Sequence, residues 1–437
     1  MKPLRHLLIL SSANPDFGHS QAAQTVCALL TAECAGLVER VTLGLVCPSE
    51  PVSTPTLDRL ARLGVSVVEL GSGLEDAPPA PRGKFDTLRH LALATLLDDG
   101  SRDRPRPRNL RALAAEIDAV GADAALLFWD TLAEFAVPLL QTPVFGYLAR
   151  PPQEAGLARI RERKPGLRRS MDLMRLRAQM RRHFDRLQRL RGAGNICALD
   201  SRQYAARGVA CSYIPNSWED PVGAGWLARR EDAEAGRDRP HILGNIGALD
   251  ATGNSFGMQY LGAAVLPRLT AIAGDRDWVI SICGTRRLTP AVAQVLQHPR
   301  VVVKGFVADI DGEMLSSAIF LLLNNAGPYT GGYTRVIYAF ATGACLIAHA
   351  NLAASMPELR HGENCLLADT PDGIAAEIDT ALRDPALRRR LGAAARQTYE
   401  NCYAPGQVAR QLVRMISPHH NVDAVTQAAP MLSAAAR

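Results

Sequence analysis

The sequence predicts an α/β chain built from two open sheets of parallel strands. Three observations carry this expectation. In both halves, short apolar runs such as HLLILSS at 6–12 and HILGNIG at 241–247 alternate with stretches of helical apolar spacing. The span Phe320–His349 runs as apolar strand, polar stop at Asn324 and Asn325, glycine loop with Gly327, Gly331 and Gly332, helix and second strand. That order is the βαβ signature of a parallel sheet. The alternation also restarts after Trp218–Pro240, a span rich in Glu, Asp, Arg and Gly, which places a domain boundary there.

Taken in order, the first half opens as strand 6–12, loop 13–20, helix 21–34, strand 40–47, helix 57–63 and strand 66–70. Residues 71–84 read as a loop, 85–97 as a helix, and the charged, proline-containing 98–109 as an exposed connection. Helix 110–120, strand 123–129, helix 132–140 and strand 144–148 follow, then strands at 195–199 and 211–214. The second half reads as strand 241–247, helix 256–273, strand 278–283, helix 289–296, strand 301–306 and helix 310–316. Next come strand 319–323, helix 333–342 stopped at Gly343, strands 344–348 and 363–368, and helices 372–382, 385–400 and 407–416. Two such units imply a cleft between them.

The 437 residues suffice for two domains, and at 47% apolar content each can bury a core. The net charge of +6 favours anionic partners, such as a nucleotide or phospholipid headgroups. Aromatics at 5% argue against a stacking platform for nucleic acid. The nine cysteines form no CxxC pair, so buried thiols are expected rather than a zinc cluster or a disulfide framework. No run approaches the ~20 apolar residues of a membrane span, and the short run Leu7–Leu10 behaves as a strand rather than a secretion signal. Residues 157–191 hold 13 basic residues against three acidic ones, with Leu173, Leu176, Met180, Phe184, Leu187 and Leu190 forming an apolar stripe. Such a helix suits either an anionic membrane surface or packing by its stripe.

Ligands of parallel sheets bind beyond the carboxyl ends of strands. The loop at Gly331, Gly332 and Tyr333 can bring backbone N–H groups to an anion, beside a helix amino terminus that favours negative charge. Arg286 and Arg287 follow the strand end at Gly284, and Arg335 opens the helix after the glycine loop; a guanidinium fork suits phosphate oxygens, the alternatives being a surface pair and a solvated helix residue. Asp130 ends a strand and is placed to act as a base or hold a hydroxyl, or equally to cap the helix that follows. His19 follows the first strand in the loop around Gly18.

Residues 241–402 resemble the retaining nucleotide-sugar glycosyltransferases of the two-Rossmann-domain type, group 1 or family 4. The run Gly244–Asp250 stands where that family has its first donor loop, and Gly284 with Arg286 and Arg287 where a strand ends near a basic residue. Val301, Gly305 and Val307 match "V-x-x-x-G-x-V". Tyr338–Leu346 aligns with "EAMA-x-G-x-P-V", while Gly362, Asn364, Cys365 and Leu367 resemble "G-x-N-G-x-L". Leu387, Arg388, Leu391, Gly392, Ala395 and Arg396 match the helix "L-R-x-x-L-G-x-x-A-R". The first half is similar only in its rhythm and its loop around Gly18.

The resemblance implies a GT-B fold, two Rossmann-like α/β/α domains facing across a cleft. Residues 1–217 would form the acceptor domain and 238–402 the donor domain. A helix at 405–418 would pack back on the first, and 419–437 would be a disordered tail. It further implies transfer from a nucleotide-sugar to a glycan, lipid-linked saccharide or protein acceptor, with retention and without a metal or other cofactor, in polysaccharide biosynthesis. The enzyme would be cytoplasmic, peripheral on the membrane through 157–191. The implied donor contacts are Gly18, Asn254, Gly284, Arg286, Arg287, Phe306 as base wall or else core, Thr330, Gly331, Gly332, Tyr333, Arg335, Tyr338 and Glu358; Asp130, His19 and Arg286 are the candidates for chemistry. The family carries glutamates where this chain has Thr330 and Tyr338, the second of them on the ribose, and an Arg and Lys where it has Ala248 and Gly253. Those departures keep open a non-catalytic carbohydrate- or nucleotide-binding protein. An oxidoreductase is disfavoured, since neither half starts with GxGxxG and an acidic residue ~20 positions on.

Overall fold

The computed structural model describes residues 4–17, 21–71, 73, 107–129, 131–151, 157, 160, 164–324 and 333–420. The chain divides into two compact units. One runs to Pro215 and is rejoined by the chain from Val408; the other is Asn216–Gln407.

The first unit holds a seven-stranded sheet. Its strands are β1 (His6–Ser11), β2 (Arg40–Val46), β3 (Val65–Leu70), β4 (Ala124–Phe128), β5 (Val144–Leu148), β6 (Gly192–Asn195) and β7 (Cys211–Tyr213), in the spatial order β3-β2-β1-β4-β5-β6-β7. All pairings are parallel, and β1 and β4 in the middle are buried along their whole length. Such strands need apolar residues on both faces, which is why they appear in the sequence as unbroken runs. The helices are α1 (Ala22–Ala35), α2 (Thr54–Arg62), α3 (Leu110–Ala119), α4 (Leu167–Leu187) and α5 (Ala198–Ala205). Leu113 and Ile117 of α3 pack with Leu8, Leu10 and Leu127 in one core cluster.

The second unit holds six strands: β8 (His241–Asn245), β9 (Val279–Cys283), β10 (Val301–Gly305), β11 (Ile319–Leu322), β12 (Leu346–His349) and β13 (Leu366–Ala368). Their order is β10-β9-β8-β11-β12-β13, again all parallel. Its helices are α6 (Trp226–Ala235), α7 (Thr252–Tyr260), α8 (Leu266–Ala273), α9 (Pro290–Val295), α10 (Ile310–Leu315), α11 (Tyr333–Ala341), α12 (Pro371–Arg383) and α13 (Pro385–Thr398). The last helix, α14 (Pro405–Ile416), buries Val408, Ala409, Leu412, Val413 and Ile416. Just past it, the ring of His420 hydrogen-bonds the Leu37 carbonyl at 2.8 Å.

Four local expectations need correction. The expected strand at 195–199 lies at Gly192–Asn195. Its glycines hid it, yet they are required: a Cβ on Gly194 would lie within 2.8 Å of Ile214 Cγ1. The span 218–240 is no mere connector. In α6, Trp226 abuts Gly343, and the buried Arg230 donates to the carbonyls of Met314, Thr342 and Ser317. Residues 132–139 form a 3-10 helix containing Pro138, capped by the Thr131 hydroxyl, which accepts from the Ala133 N–H. The helix expected over 256–273 begins at Thr252 and passes through a π turn, Leu261–Val265, ahead of Pro267, which has no N–H to give. The expected helix at 85–97 lies outside the described residues.

The apolar stripe of the basic segment is largely spent within the fold. Phe184, Leu187 and Leu190 belong to the first unit's core and Met180 packs against it. Leu167 and Met174, towards the start of α4, remain exposed. Among the described residues no helix is long and apolar enough to cross a membrane.

Candidate functional site

Each sheet has one place where neighbouring strands send their chains off in opposite directions, between β1 and β4 in the first unit and between β8 and β11 in the second. Such switch points open a crevice at the carboxyl ends of the strands.

In the second unit this place is lined by asparagines. Asn245, the last residue of β8, donates through Nδ2 to the Cys283 carbonyl at 3.2 Å. Asn324, just past β11, donates to Asn254 Oδ1 at 2.8 Å, and Asn254 Nδ2 donates to the Ala248 carbonyl at 2.7 Å. Asn254 is thus buried and ties the β8–α7 loop to β11, a bracing role. Gly257 lets α7 approach that tie, for a Cβ there would lie 2.7 Å from Asn324 Oδ1. Ala251, which precedes α7, offers no side-chain cap to the helix's first N–H groups.

Arg335 reaches into this end of the sheet from the first turn of α11. Its Nη1 donates to Ile246 O at 3.3 Å and lies 3.5 Å from Asn245 Oδ1. Among the described residues these are its partners, and neither is charged. The neighbouring segment 325–332, NAGPYTGG, contains no carboxylate. Burial pushes the Arg335 guanidinium down to about 10. A guanidinium drawn partly out of water among neutral oxygens is one for which an anion could serve as counter-charge.

The other sequence candidates are distributed differently. Arg286 sits past β9 with φ 67°, two-thirds exposed, its Nη1 3.3 Å from an Asp250 carboxylate oxygen. Arg287 is exposed beside it. Gly284 is a packing residue, since any Cβ there would overlap the Gly247 carbonyl; its N–H donates to Gly305 O at 2.8 Å. Phe306 stands 74% exposed beyond the edge strand β10, so it is no core residue. Tyr333 begins α11 and packs against the core. Tyr338 is buried, and its hydroxyl donates to Asp311 on α10; burial, then the Asp311 charge, raise its pKa far above the tyrosine range. Glu358 accepts from the Tyr403 hydroxyl at 3.0 Å, an orienting contact within the core. His349 is satisfied on both ring nitrogens, by Asp369 O at 3.1 Å and the Asn351 N–H at 3.2 Å. Gly18, His19, Asp130, Thr330, Gly331 and Gly332 lie outside the described residues.

Sequence reasoning missed two features. Asp311 carries no motif, and only the fold brings it to Tyr338. The other is a recess of about 370 Å³ in the first unit, at the carboxyl ends of β1, β2 and β4, lined by Ser12, Asn14, Gln24, Ser49, Glu50 and Trp129 among others. Among the described residues, no group of three or more His, Cys, Asp or Glu side chains is arranged to hold a metal.

Residues 240–384 match the family model described as Glycosyl transferases group 1. No curated protein matches the chain by sequence. Among solved structures, the chain is similar to a glycosyltransferase from Rickettsia africae ESF-5, at 10% identity over 98% of this chain and 100% of that one, with a TM-score of 0.56. It is also similar to Anabaena HepE in complex with UDP and glucose, at 13% identity, 94% and 99% coverage and a TM-score of 0.55. A third is an S. aureus TarM mutant in complex with Fondaparinux, alpha-GlcNAc-glycerol and UDP, at 8% identity, 95% and 100% coverage and a TM-score of 0.58. The fold is of GT-B type, and the resemblance seen in the second half of the sequence is borne out by the family model.

Proposed function

With a group 1 glycosyltransferase domain as premise, we propose that this protein transfers a sugar from a nucleotide diphosphate-sugar, held by the second unit, to an acceptor hydroxyl, with retention of configuration. The observation that carries this reading is the half-buried Arg335 guanidinium, whose partners among the described residues are neutral oxygens at the carboxyl end of β8. A diphosphate supplies the missing counter-charge, and the charge that develops on it as the sugar leaves is stabilised where water is scarce. The uncapped start of α7 adds further N–H donors. The bond from the anomeric carbon to the diphosphate oxygen breaks, the acceptor oxygen bonds on the same face, and the acceptor proton passes to the departing phosphate. No strong protein base is then needed.

Position 338 has lost the carboxylate that the family resemblance assigns to the ribose. Asp311, fixed by the Tyr338 hydroxyl, supplies one from the adjacent helix. Its second oxygen would accept from ribose hydroxyls. The acceptor is a saccharide, lipid-linked sugar or protein, taken up by the first unit. The enzyme works in the cytoplasm, resting on anionic lipid through the exposed start of α4, where Leu167 and Met174 stand among arginines. HepE and TarM, crystallised with UDP, make uridine nucleotides the first donors to try.

The test is a thermal-shift panel of UDP, GDP, ADP, CDP and dTDP with their sugars. Selective stabilisation that grows with concentration supports the donor site. No shift with any of them refutes it. The loss of carboxylates at Thr330 and Tyr338 favours a second reading, a binder without turnover. Nucleotide binding with neither transfer nor hydrolysis of the matching sugar donor would support that one.

A further inference from the structure

The recess in the first unit has a lining with a distinct chemistry. Ser12, Asn14, Gln24 and Ser49 are neutral hydrogen-bonding side chains, Glu50 is acidic, and Trp129 is aromatic. The described lining contains no arginine or lysine, in a chain of net charge +6. Among the described lining residues a phosphorylated ligand would meet a carboxylate and no cation. A ring rich in hydroxyls would meet amides and hydroxyls along its edge and an indole under its face.

Trp129 is held in an unusual state. It has φ 50°, a left-handed conformation that bulky L-residues avoid. Its ring stacks on Phe128, with centroids 5.0 Å apart and planes at 14°, and its buried Nε1–H has no hydrogen-bond partner among the described residues. Strain of this kind persists where the surroundings over-determine it and gathers at ligand sites. Here it turns the indole into the wall of the recess directly after β4, beside the switch in strand order. Asn14 Nδ2 donates to the Glu50 carbonyl at 2.6 Å, which ties the loop after β1 to the loop after β2 on the far side. The volume of about 370 Å³ lies at the small end of ligand pockets.

We propose that this recess binds one uncharged pyranose ring, with Trp129 as its stacking platform, and that it selects against phosphorylated sugars. The proposal deepens the transferase reading by naming the acceptor's class, and rests on it only for the statement that the ring belongs to the acceptor.

The test is a titration of the full chain, without nucleotide, by calorimetry and saturation-transfer NMR. The ligands are methyl glycosides of glucose, galactose, mannose and N-acetylglucosamine, each beside its 6-phosphate. At least one neutral glycoside is expected to bind, and its 6-phosphate to bind at least about tenfold more weakly. Trp129→Ala should weaken the neutral ligand about tenfold, whereas Trp129→Phe should keep most of the affinity. Ala23 is a half-exposed lining residue on α1, and Ala23→Phe fills the recess without touching the strained turn. It should abolish binding even where Trp129→Ala does not fold. Equal or tighter binding of the phosphates, binding that survives Ala23→Phe, or no binding of any neutral glycoside overturns the proposal. Any of these leaves the nucleotide shift of the second unit standing, and a missing nucleotide shift leaves sugar binding here standing.

Discussion

Replacing Arg335 by methionine should make the protein more stable and at the same time blind to its donor. Burial pushes the side chain's pKa from the usual arginine value down to about 10, with no charged partner among the described residues to offset it. At about 1.4 kcal/mol per pKa unit, that drop corresponds to about 3 kcal/mol of unfavourable charging in the folded state. Part of the residue's surface still meets solvent, whose screening recovers some of this, so about 1–3 kcal/mol is the expected cost at neutral pH. Methionine keeps an unbranched apolar stem and removes the charge. For a unit of this size each kcal/mol moves the melting temperature by roughly 2–4 °C. Arg335→Met should therefore melt roughly 2–12 °C higher than the parent without ligand. A diphosphate at about a hundred times its Kd should stabilise the parent by about 2.7 kcal/mol, and that increment should vanish in the variant. Arg335→Lys should keep part of it, since a point charge replaces a fork. Differential scanning fluorimetry with and without the selected nucleotide reads both effects. A methionine variant that is less stable than the parent, or one that keeps the full nucleotide shift, refutes the idea of an anion site at this guanidinium.

Asp311→Asn should weaken the chosen nucleoside diphosphate about tenfold while leaving pyrophosphate binding unchanged, measured by calorimetry; parallel losses for both ligands would remove Asp311 from the ribose. His241, at the start of β8, is buried and its pKa is pushed down to about 4, chiefly by burial and next by Arg237. Between pH 6.5 and 4 the unfolded chain takes up a proton that the folded one refuses, so stability should fall as pH drops through this window, by up to about 3 kcal/mol. His241→Asn should flatten that part of the denaturation-midpoint profile, and an unchanged slope would contradict the assignment. Gly343 has φ 64° and faces the Trp226 ring, which a Cβ would overlap. Gly343→Ala should cost about 2–5 kcal/mol in urea unfolding, the sum of left-handed strain and overpacking; a loss under 1 kcal/mol would mean that α6 shifts freely.

The fold was legible because a parallel sheet buried on both faces writes itself as apolar runs, and helices on its flanks write a different period. Where a strand is made of Gly192, Ala193, Gly194 and Asn195, no run is written, and the strand was misplaced by three residues. The motif ending in Ala395 and Arg396 was visible as a pattern, but its reason lay elsewhere. Arg396 forms an ion pair with Asp220 at 2.6 Å, and nothing at position 220 announces it. The site was less legible for the same reason. Arg335 is marked in the sequence by its place after the glycine loop, but whether it is a solvated helix residue depends on partners such as Ile246 and Asn245 that only the fold supplies. Arg286 looked stronger on the page because it follows a strand end, yet Asp250 lies 36 residues earlier and answers its charge. Tyr338 is a donor contact by resemblance, and nothing in the sequence shows that its hydroxyl is engaged by Asp311 of α10.

The first unit is interrupted in sequence: its sheet is complete by β7, but α14 arrives only after the whole second unit. During translation the ribosome therefore releases a seven-stranded sheet lacking one cover helix, then some two hundred residues of another domain. The nascent first half must wait, with the ground for Val408, Leu412 and Val413 bare, while the second half can already close on itself. A stop codon ahead of position 405 would thus harm the beginning of the protein more than its end.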